Sequence, residues 1–202
     1  FVARTGGKLP ITITGTGTAL PGDETLKVAS AQVKSAILLA GLNAQGNTIV
    51  IEPQPSRDHT EKMLSFFGAD ISVEEMADGA RKITLIGQPE ITGQKIEVPG
   101  DISSAAFPLV AALITLGSDL TIENVGINPL RAGVLESLRD MGAEIEILNE
   151  RDTAGEPMAD IHVRASNLTG ATVPASRAPS MIDEYPILAI AAACAEGTSV
   201  FE

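Results

Sequence analysis

The sequence predicts an α/β (α+β) fold made of repeated βαβαββ units, in which the helices form an inner layer wrapped by sheets. One observation behind this prediction is the order of the patterns. Short β-branched stretches and apolar helical stretches follow one another as β-α-β-α-β-β, and this order recurs along the 202 residues. The other is the composition of the helical stretches 107–116 and 187–195, which are so apolar that we expect both to be buried on most sides.

Local patterns define the elements of the first unit. Alternation of apolar and polar residues predicts a half-buried strand over 9–14. Ser30 is an ordinary N-cap before a helix over 30–41, and Asp58 begins a second helix. Asp78-Gly79 is a strong turn dipeptide between two strands. The other strands expected in this unit are 25–29, 47–52, 71–75 and 82–86.

A turn or linker is expected over 87–93, and the same order of elements follows it. Pro99-Gly100-Asp101 is a turn before the apolar helix 103–116, and a long polar loop over 149–158 separates the last two strands of the second unit. The other elements expected there are strands at 95–98, 120–124, 144–148 and 160–163 and a helix at 130–141.

A third unit is expected to start near Thr172-Val173, to continue through a helix over 180–195 and to stop in the strand 199–201. Sequence identity between the units supports the repeat, because the segments 64–73 and 138–147 match each other. A repeat of this length is too long for an ordinary solenoid and suits a compact βαβαββ unit.

Composition argues against several classes of partner. A formal charge of −12 disfavours a nucleic-acid surface or an anionic membrane, although a few local basic groups can still bind a small anionic substrate. The longest apolar run, about a dozen residues, is too short to span a membrane. The one cysteine, Cys194, cannot form an internal disulfide, which favours a reducing intracellular compartment. We expect it to be a small buried hydrophobe.

Two basic or polar stretches are candidates for anion binding. Ser30-Ala31-Gln32 lies at a helix N-terminus, where unpaired N–H groups favour an anion, although a cap is the commoner role for such a serine. Arg57 can clamp a phosphate or carboxylate, or it can pair on the surface with Asp58 or Glu61. His59 is more often a polar residue of a helix start than a base, and without a second His or Cys nearby we expect no metal site.

Two acidic stretches are candidates for chemistry. Asp101 is more readily explained as an N-cap than as part of a cleft. Asp183 and Glu184 precede an otherwise uncharged helix, where acidic residues stabilise the helix dipole. A carboxylate at that position is also where a general base can be held.

Four motifs closely resemble those of the EPSP synthases, the 3-phosphoshikimate 1-carboxyvinyltransferases of the shikimate pathway of aromatic amino acid biosynthesis. The motifs occur in the family's order at 30–36, 56–64, 99–107 and 178–186. The first two are similar to the bacterial class II variants, whose members tend to tolerate glyphosate. The family fold implies two domains of three βαβαββ units each, which close on the substrate.

The resemblance implies a role for each candidate residue. Ser30, the Ala31 backbone and Gln32 would bind shikimate 3-phosphate, with Gln32 also reaching the phosphoenolpyruvate side. Arg57 would contact the phosphate region of shikimate 3-phosphate, and Asp183 would be the catalytic base for the attacking 5-hydroxyl. The implied reaction transfers the enolpyruvyl group of phosphoenolpyruvate to that hydroxyl and releases phosphate. No metal or organic cofactor is implied.

The resemblance also implies a domain assignment and an internal fragment. Residues 1–92 would be the last unit of the first domain, 93–168 the first unit of the second domain and 169–202 the start of a further, truncated unit. The family's Lys-Ser-x-x-x-Arg loop would precede Phe1, and its Lys-Glu-Ser/Thr-Asp-Arg segment, which faces phosphoenolpyruvate, would follow Glu202. We therefore expect the isolated chain to be inactive.

The expected partners are shikimate 3-phosphate, phosphoenolpyruvate and, as a second chain, the missing parts of the same enzyme. Neither nucleic acid nor a membrane is expected, and the expected compartment is the cytoplasm. Two alternatives stay open. One is the related transferase that acts on UDP-N-acetylglucosamine, whose mark would be a catalytic cysteine loop; Cys194 in its apolar helix does not fit this role. The other is a non-catalytic scaffold or folding module.

Overall fold

A computed structural model describes residues 2–15 and 17–202 of the chain. The chain divides into two compact units. The first unit comprises the residues up to 53 and 68–91, and the second comprises 54–67 and 92–202. Among the described residues, every helix is too short or too polar to pass through a lipid bilayer.

The segment 54–67 groups with the second unit, although it lies well before residue 92, where the sequence predicts a domain boundary. The assignment of 1–92, 93–168 and 169–202 to the domains of a larger enzyme stays a prediction.

One sheet and one helix form the body of the first unit. The described elements of this unit are β1 (Val2–Arg4), β2 (Lys8–Thr12), β3 (Asp23–Thr25), α1 (Ala31–Gly41), β4 (Asn47–Glu52), β5 (Ile71–Glu75) and β6 (Arg81–Ile86). The sheet has the order β3-β4-β6-β5, with β3 parallel to β4 and the other neighbours antiparallel. A parallel pair needs a crossover connection, which α1 supplies by packing on β4 and β6. Gly79, with φ +82°, turns the predicted hairpin between β5 and β6 and confirms it.

The helix α1 lies very close to the sheet. Leu38 of the helix is fully buried, as are Val50 of β4 and Ile83 of β6. At the end of the helix, a Cβ atom on Gly41 would lie 2.5 Å from Oγ1 of Thr48 in β4. The absence of a side chain at Gly41 therefore allows the close approach of the helix to the strand.

The strand predicted over 9–14 corresponds to β2, but it is not half-buried. All five of its residues are exposed, and it pairs with β1 in a hairpin separate from the main sheet. The prediction of half-burial is wrong because alternation indicates which face of a strand is apolar, whereas burial depends on an element that packs against that face.

The second unit combines helices, an antiparallel sheet and a short parallel pair. Its described elements are α2 (His59–Phe66), α3 (Ile102–Ile114), β7 (Asp119–Gly126), α4 (Gly133–Asp140), β8 (Ile145–Thr153), β9 (Glu156–Arg164), β10 (Thr172–Val173), a 3-10 helix (Ala175–Ser180), α5 (Tyr185–Cys194) and β11 (Val200–Phe201). The sheet has the order β7-β9-β8, and β10 lies parallel to β11.

The predicted repeat is visible in the strand pairing. Each copy opens with a parallel pair: β3 with β4, then a single bridge from Gly100 to Val125 of β7, then β10 with β11. In the first two copies the sheet continues in the same antiparallel manner, as β4-β6-β5 and β7-β9-β8. The α/β fold of repeated βαβαββ order is confirmed.

Two predicted elements of the second unit are wrong. Residues 95–98, all of them described, form no strand, and the pairing expected there is reduced to the single bridge at Gly100. The polar loop predicted over 149–158 is instead the continuation of β8 and β9, which turn at Ala154-Gly155 with φ of +55° and +80°. Polar residues dominate this extension, so its sequence is typical of a loop.

The helix α3 is the central helix of the second unit. Seven of its residues are buried, and it packs against α5, β7 and β9. Burial on most sides, expected for 107–116, is nevertheless wrong, because Phe107 is 59% exposed and Leu116 is 99% exposed. The helix α5 is likewise less buried than predicted: Leu188 and Ala191 are buried, whereas Ile190 is 51% exposed. Cys194, expected to be buried, is exposed. The prediction fails for α5 because the described elements that pack on it, α3 and α4, cover one side of the helix.

Candidate active site

Ser30 has the geometry of an N-cap at the start of α1. Its backbone is extended, and its Oγ accepts a hydrogen bond from the N–H of Val33 at 3.4 Å. The same hydroxyl donates to Oε1 of Gln32 at 3.5 Å. Gln32 is exposed, and Ala31 is half-buried. The capping role predicted for Ser30 is confirmed, and its role toward an anion stays a prediction.

A buried ion pair fixes the first turn of the same helix. Nζ of Lys34 lies 3.0 Å from Oε2 of Glu52, which is the last residue of β4, and the two side chains are 0% and 1% exposed. The pair ties the first turn of α1, where Ser30-Ala31-Gln32 lies, to the end of the neighbouring strand. The sequence does not predict this pair, because nothing local links a lysine to a glutamate 18 residues away.

Arg57 and Asp183, two of the candidate residues, come together in the second unit. Nη2 of Arg57 lies 3.2 Å from Oδ2 of Asp183, although the two are 126 residues apart in sequence. Asp183 is 55% exposed and Arg57 is 22% exposed. The surface pairing considered for Arg57, with Asp58 or Glu61, is therefore not what the structure shows; its partner is Asp183.

A second arginine, Arg131, completes this group of side chains. Its Nη2 lies 3.2 Å from Oδ2 of Asp183, and its Nη1 donates to Oε1 and Oε2 of Glu184 at 2.9 and 3.0 Å. Ser103, in the first turn of α3, hydrogen-bonds to both Arg131 and Glu184. We call Arg57, Ser103, Arg131, Asp183 and Glu184 the Arg131 cluster.

Glu184 has a different role from the one that helix electrostatics predicts. It occupies the N-cap position of α5, yet its carboxylate makes no side-chain capping bond. Its side chain is 1% exposed and points to Arg131 instead. A carboxylate this deeply buried requires a paired cation, and Arg131 supplies it with both oxygens bonded.

Asp101 caps α3, as predicted. Its carboxylate accepts hydrogen bonds from the N–H groups of Ser103 and Ser104 at 3.2 and 2.9 Å, and from the Ser104 hydroxyl at 2.8 Å. Burial raises the pKa of Asp101, but the Ser104 hydroxyl bond, the two backbone bonds and the charge of Arg131 outweigh it and hold the pKa below its ordinary value. One oxygen of Asp101 lies 3.9 Å from Arg131.

A second group of charged side chains attaches α2 to the rest of the second unit. Nδ1 of His59 lies 2.7 Å from Oε1 of Glu156, and Nζ of Lys62 lies 3.2 Å from Oδ1 of Asp58. The side-chain amide of Asn128 donates to Asp58 at 2.7 Å and to Glu156 at 3.0 Å. These five residues form the His59 cluster, which explains why 54–67 groups with later residues.

The pKa values of both carboxyl groups in the His59 cluster are low. Burial raises each pKa, but for Asp58 the Asn128 hydrogen bond and the Lys62 charge outweigh this effect. For Glu156 the hydrogen bonds from His59 and Asn128 do the same, helped by the charges of His59 and Lys62. Both groups are therefore held as carboxylates.

The donor atoms of Asp58, His59 and Glu156 lie within 4.8 Å of one another, a spacing that suits a metal ion. The amide of Asn128 already donates to both carboxylates, and the Lys62 ammonium lies 3.2 Å from Asp58 and 3.8 Å from Glu156. Both carboxylates therefore already have protein partners, and we assign the cluster a structural role.

Asn128 connects the two clusters through the loop before α4. Its side-chain oxygen accepts from the N–H of Leu130, and its backbone carbonyl accepts from the N–H of Arg131 at 2.8 Å. These two hydrogen bonds fix the loop and, with it, the backbone position of Arg131. A cavity of about 370 Å³ adjoins the same loop and reaches from His59 to Asp101.

Comparison with known proteins decides the family. The model of the family "EPSP synthase (3-phosphoshikimate 1-carboxyvinyltransferase)" matches residues 2–202. The chain belongs to the EPSP synthase family. The family expected from the four sequence motifs is thereby confirmed.

Curated members of the EPSP synthase family are similar over almost the whole chain. The 3-phosphoshikimate 1-carboxyvinyltransferase of Paramagnetospirillum magneticum is 59% identical over 98% of this chain, and that of Parvibaculum lavamentivorans is 60% identical over 98%. The chain spans 45% and 44% of the length of these two relatives.

Solved structures agree with this membership. EPSP synthase from Acinetobacter baumannii has a TM-score of 0.84 and 51% sequence identity, over 98% of this chain and 44% of that chain. The enolpyruvyl transferase NikO from Streptomyces tendae has a TM-score of 0.61 and 22% identity, over 82% of this chain and 37% of that chain. The second likeness shows the fold alone.

Arg131 and Ser103 belong to the candidate site although the sequence patterns do not predict them. Arg131 follows a strand end in Asn128-Pro129-Leu130-Arg131, next to no other basic residue. An arginine in a short loop that precedes a helix was a usable signal, since Arg57 occupies a similar place before α2. The partners of Arg131, in contrast, lie far away in sequence: Ser103 is 28 residues away and Asp183 is 52 residues away. No local pattern predicts such contacts.

Proposed function

We propose that this chain forms part of a 3-phosphoshikimate 1-carboxyvinyltransferase and contributes groups that bind shikimate 3-phosphate. The observation that supports this most directly is the contact between Arg57 and Asp183, which come from two different family motifs and lie 3.2 Å apart. An arginine suits a phosphate, and an exposed carboxylate suits a hydroxyl that must lose its proton. Shikimate 3-phosphate carries both groups on one ring.

In the proposed reaction, Asp183 accepts the proton of the 5-hydroxyl group. The hydroxyl oxygen adds to C2 of phosphoenolpyruvate while a proton adds to C3, which gives a tetrahedral intermediate. The bond from C2 to the phosphate oxygen then breaks, a proton leaves C3, and inorganic phosphate departs from the enol ether product. Arg57 neutralises negative charge on the substrate phosphate, which is electrostatic stabilisation of a bound dianion.

Ser30, Ala31 and Gln32 are proposed to bind shikimate 3-phosphate from the start of α1. The cap observed at Ser30 is compatible with this role, because a hydroxyl that caps the empty helix can rotate to a phosphate oxygen. Gln32, being exposed, is proposed to reach toward phosphoenolpyruvate as well.

The proposed setting is aromatic amino acid biosynthesis in the cytoplasm, with the rest of the enzyme as the partner of these residues. Because the chain spans 44–45% of its curated relatives, we propose that residues 1–202 bind shikimate 3-phosphate without turning it over. Substrate binding and turnover are therefore tested separately.

The test is calorimetric titration of the 202-residue chain with shikimate 3-phosphate, shikimate and UDP-N-acetylglucosamine. We expect shikimate 3-phosphate to bind more tightly than the other two ligands. Arg57→Ala should weaken its binding by about 10-fold or more, because a hydrogen bond to a charged group contributes about 1.5–3 kcal/mol. The affinity for shikimate, which lacks the phosphate, should change much less.

Arg164→Ala is the matched control, since Arg164 is a salt-bridged arginine of the same unit outside the Arg131 cluster. It should leave the affinity for shikimate 3-phosphate unchanged. Phosphate release should be absent when phosphoenolpyruvate is added. Failure of shikimate 3-phosphate to bind would refute the proposed binding site and favour a scaffold; tighter binding of UDP-N-acetylglucosamine would point to the related transferase.

A further inference from the structure

Arg131 contacts three other members of the Arg131 cluster at once. Nη1 donates to both oxygens of Glu184, while Nη2 meets Asp183 and Ser103. A guanidinium presents its donors in a rigid planar fork, so one orientation satisfies all of these groups together. A lysine ammonium, being a single point charge, cannot do so.

The guanidinium is held in place from the buried side. Glu184 is 1% exposed and precedes α5, Ser103 lies in α3, and Arg131 itself is 12% exposed. The backbone N–H of Arg131 is bonded to the carbonyl of Asn128 at 2.8 Å, which fixes the loop that carries it. Arg131 is thus anchored by two helices and its own loop.

The two arginines meet the same oxygen atom of Asp183. Arg57 and Arg131 each place Nη2 3.2 Å from Oδ2. Within residues 2–15 and 17–202, no hydrogen bond reaches Oδ1, and the carboxylate is 55% exposed. One oxygen is held by protein and the other is open to a ligand.

We propose that Arg131 is a positioning residue, which holds Asp183 by Oδ2 so that Oδ1 accepts the hydrogen bond of a substrate hydroxyl. The inference rests on the proposed function, in which Asp183 is the base. Arg57 is the exchangeable partner of Asp183, because it is more exposed than Arg131 and, within residues 2–15 and 17–202, pairs with no buried carboxylate like Glu184. When Arg57 turns to the substrate phosphate, Arg131 still holds the carboxylate.

A purely structural role, in which Arg131 only neutralises buried Glu184, makes a different prediction. Removing Arg131 alone leaves an uncompensated buried carboxylate, so that variant can fail to fold. The double variant Arg131→Gln/Glu184→Gln removes both charges and keeps hydrogen-bonding amides in their place. It separates the two roles, because it preserves the fold while releasing Asp183.

The readout is hydroxyl preference: the ratio of the affinities for shikimate 3-phosphate and its 5-deoxy analogue. A hydrogen bond to a carboxylate predicts a preference of about 10-fold or more in the unaltered chain. We expect less than about 3-fold in the double variant and in Asp183→Asn. The matched control Arg177→Gln/Asp140→Asn removes another ion pair of the same unit and should keep the full preference.

A double variant that keeps the full preference for the hydroxyl would overturn the inference. Should neither ligand bind the unaltered chain, the proposed function fails, and a crystal structure of the double variant decides the positioning role by itself. Asp183 turned away from its original orientation would support that role. Asp183 held unchanged by Arg57 alone would contradict it.

Discussion

Single residues in this molecule act through partners that are distant in sequence. Lys34 is the clearest case in the first unit, because a fully buried ammonium group is tolerated only when it is paired and hydrogen-bonded. Its partner Glu52 ends β4, so the pair joins the helix start to the strand end. The same logic applies to Glu184 and Arg131 in the second unit.

Lys34→Met should destabilise the chain by about 3–5 kcal/mol, because it leaves the carboxylate of Glu52 buried without its ammonium partner. The double variant Lys34→Met/Glu52→Leu should recover a large part of this loss, since apolar groups of similar volume can replace a buried pair. The free energy of unfolding in guanidinium measures both effects.

Lys82→Met is the control for that experiment, because Lys82 pairs with Glu74 on the surface, where the two side chains are 36% and 64% exposed. Removing an exposed pair should cost about 1 kcal/mol or less. Equal losses for Lys34→Met and Lys82→Met would contradict the importance assigned to the buried pair.

The residue scale also shows how far sequence reasoning reaches. Ser30 and Asp101 were predicted as caps and are caps, because capping depends on neighbours two or three residues away. The site roles of Arg57 and Asp183 came from resemblance to a family. Arg131 was not predicted, because its position depends on the meeting of three elements that no local pattern specifies.

At the scale of elements, close contacts between helix and strand set the packing. The helix α1 approaches β4 so closely that a Cβ atom at Gly41 would lie 2.5 Å from Oγ1 and 2.8 Å from Cβ of Thr48. Both atoms belong to a β-branched side chain in a sheet, which has little freedom to move away.

Gly41→Ala should therefore destabilise the chain by about 1–3 kcal/mol, the usual cost of forcing extra atoms into a packed interface. Gly41→Ala combined with Thr48→Gly should remove the clash and relieve the loss in part. Thermal unfolding measures the change. Gly22→Ala is the control, since a Cβ atom at Gly22 meets nothing within 4 Å; a similar loss there would refute the steric explanation.

The predicted elements are correct where residue types specify the conformation directly and wrong where the conformation depends on strand pairing. The strand Asn47–Glu52 and the hairpin around Gly79 were predicted because β-branched residues and a turn dipeptide specify them directly. The extension of β8 and β9 was mistaken for a loop, because its residues are polar and their strand conformation comes from pairing with each other. The strand expected over 95–98 lacks that pairing.

At the scale of the whole molecule, paired carboxylates make stability depend on pH. Asp58, Asp101 and Glu156 have folded-state pKa values below the ordinary values of 3.8, 3.8 and 4.5. As pH falls toward these ordinary values, the unfolded chain takes up protons before the folded chain does. The stabilisation that these three carboxylates contribute is therefore fully present at neutral pH and is lost as pH falls through and below about 4.

The measurement is the free energy of unfolding at pH 7, 5, 4 and 3. We expect a steady decrease below pH 5, and Asp58→Asn should make the decrease shallower because it removes one of the groups that bind protons on unfolding. Glu90→Gln, on the surface of the first unit, is the control. A free energy that stays constant down to pH 3 would contradict the assignment of low pKa values.

The repeat itself was readable in the sequence because matching segments carry it, but the division into units was not. The sequence places α2 with the strands that flank it, whereas the structure groups it with residues after 92. The His59 cluster, whose members Asn128 and Glu156 lie far along the chain, connects the start of α2 to these later residues.

The regrouping of α2 has a consequence for anyone who would divide this chain to express its parts. A cut after residue 92, where the sequence suggests a boundary, separates Asp58, His59 and Lys62 from Asn128 and Glu156. The shorter piece would carry a helix whose charged side chains have lost Asn128 and Glu156, and the longer piece would lack Arg57 beside Asp183. The part of the chain that holds Arg57 is thus inseparable in practice from the part that holds Asp183.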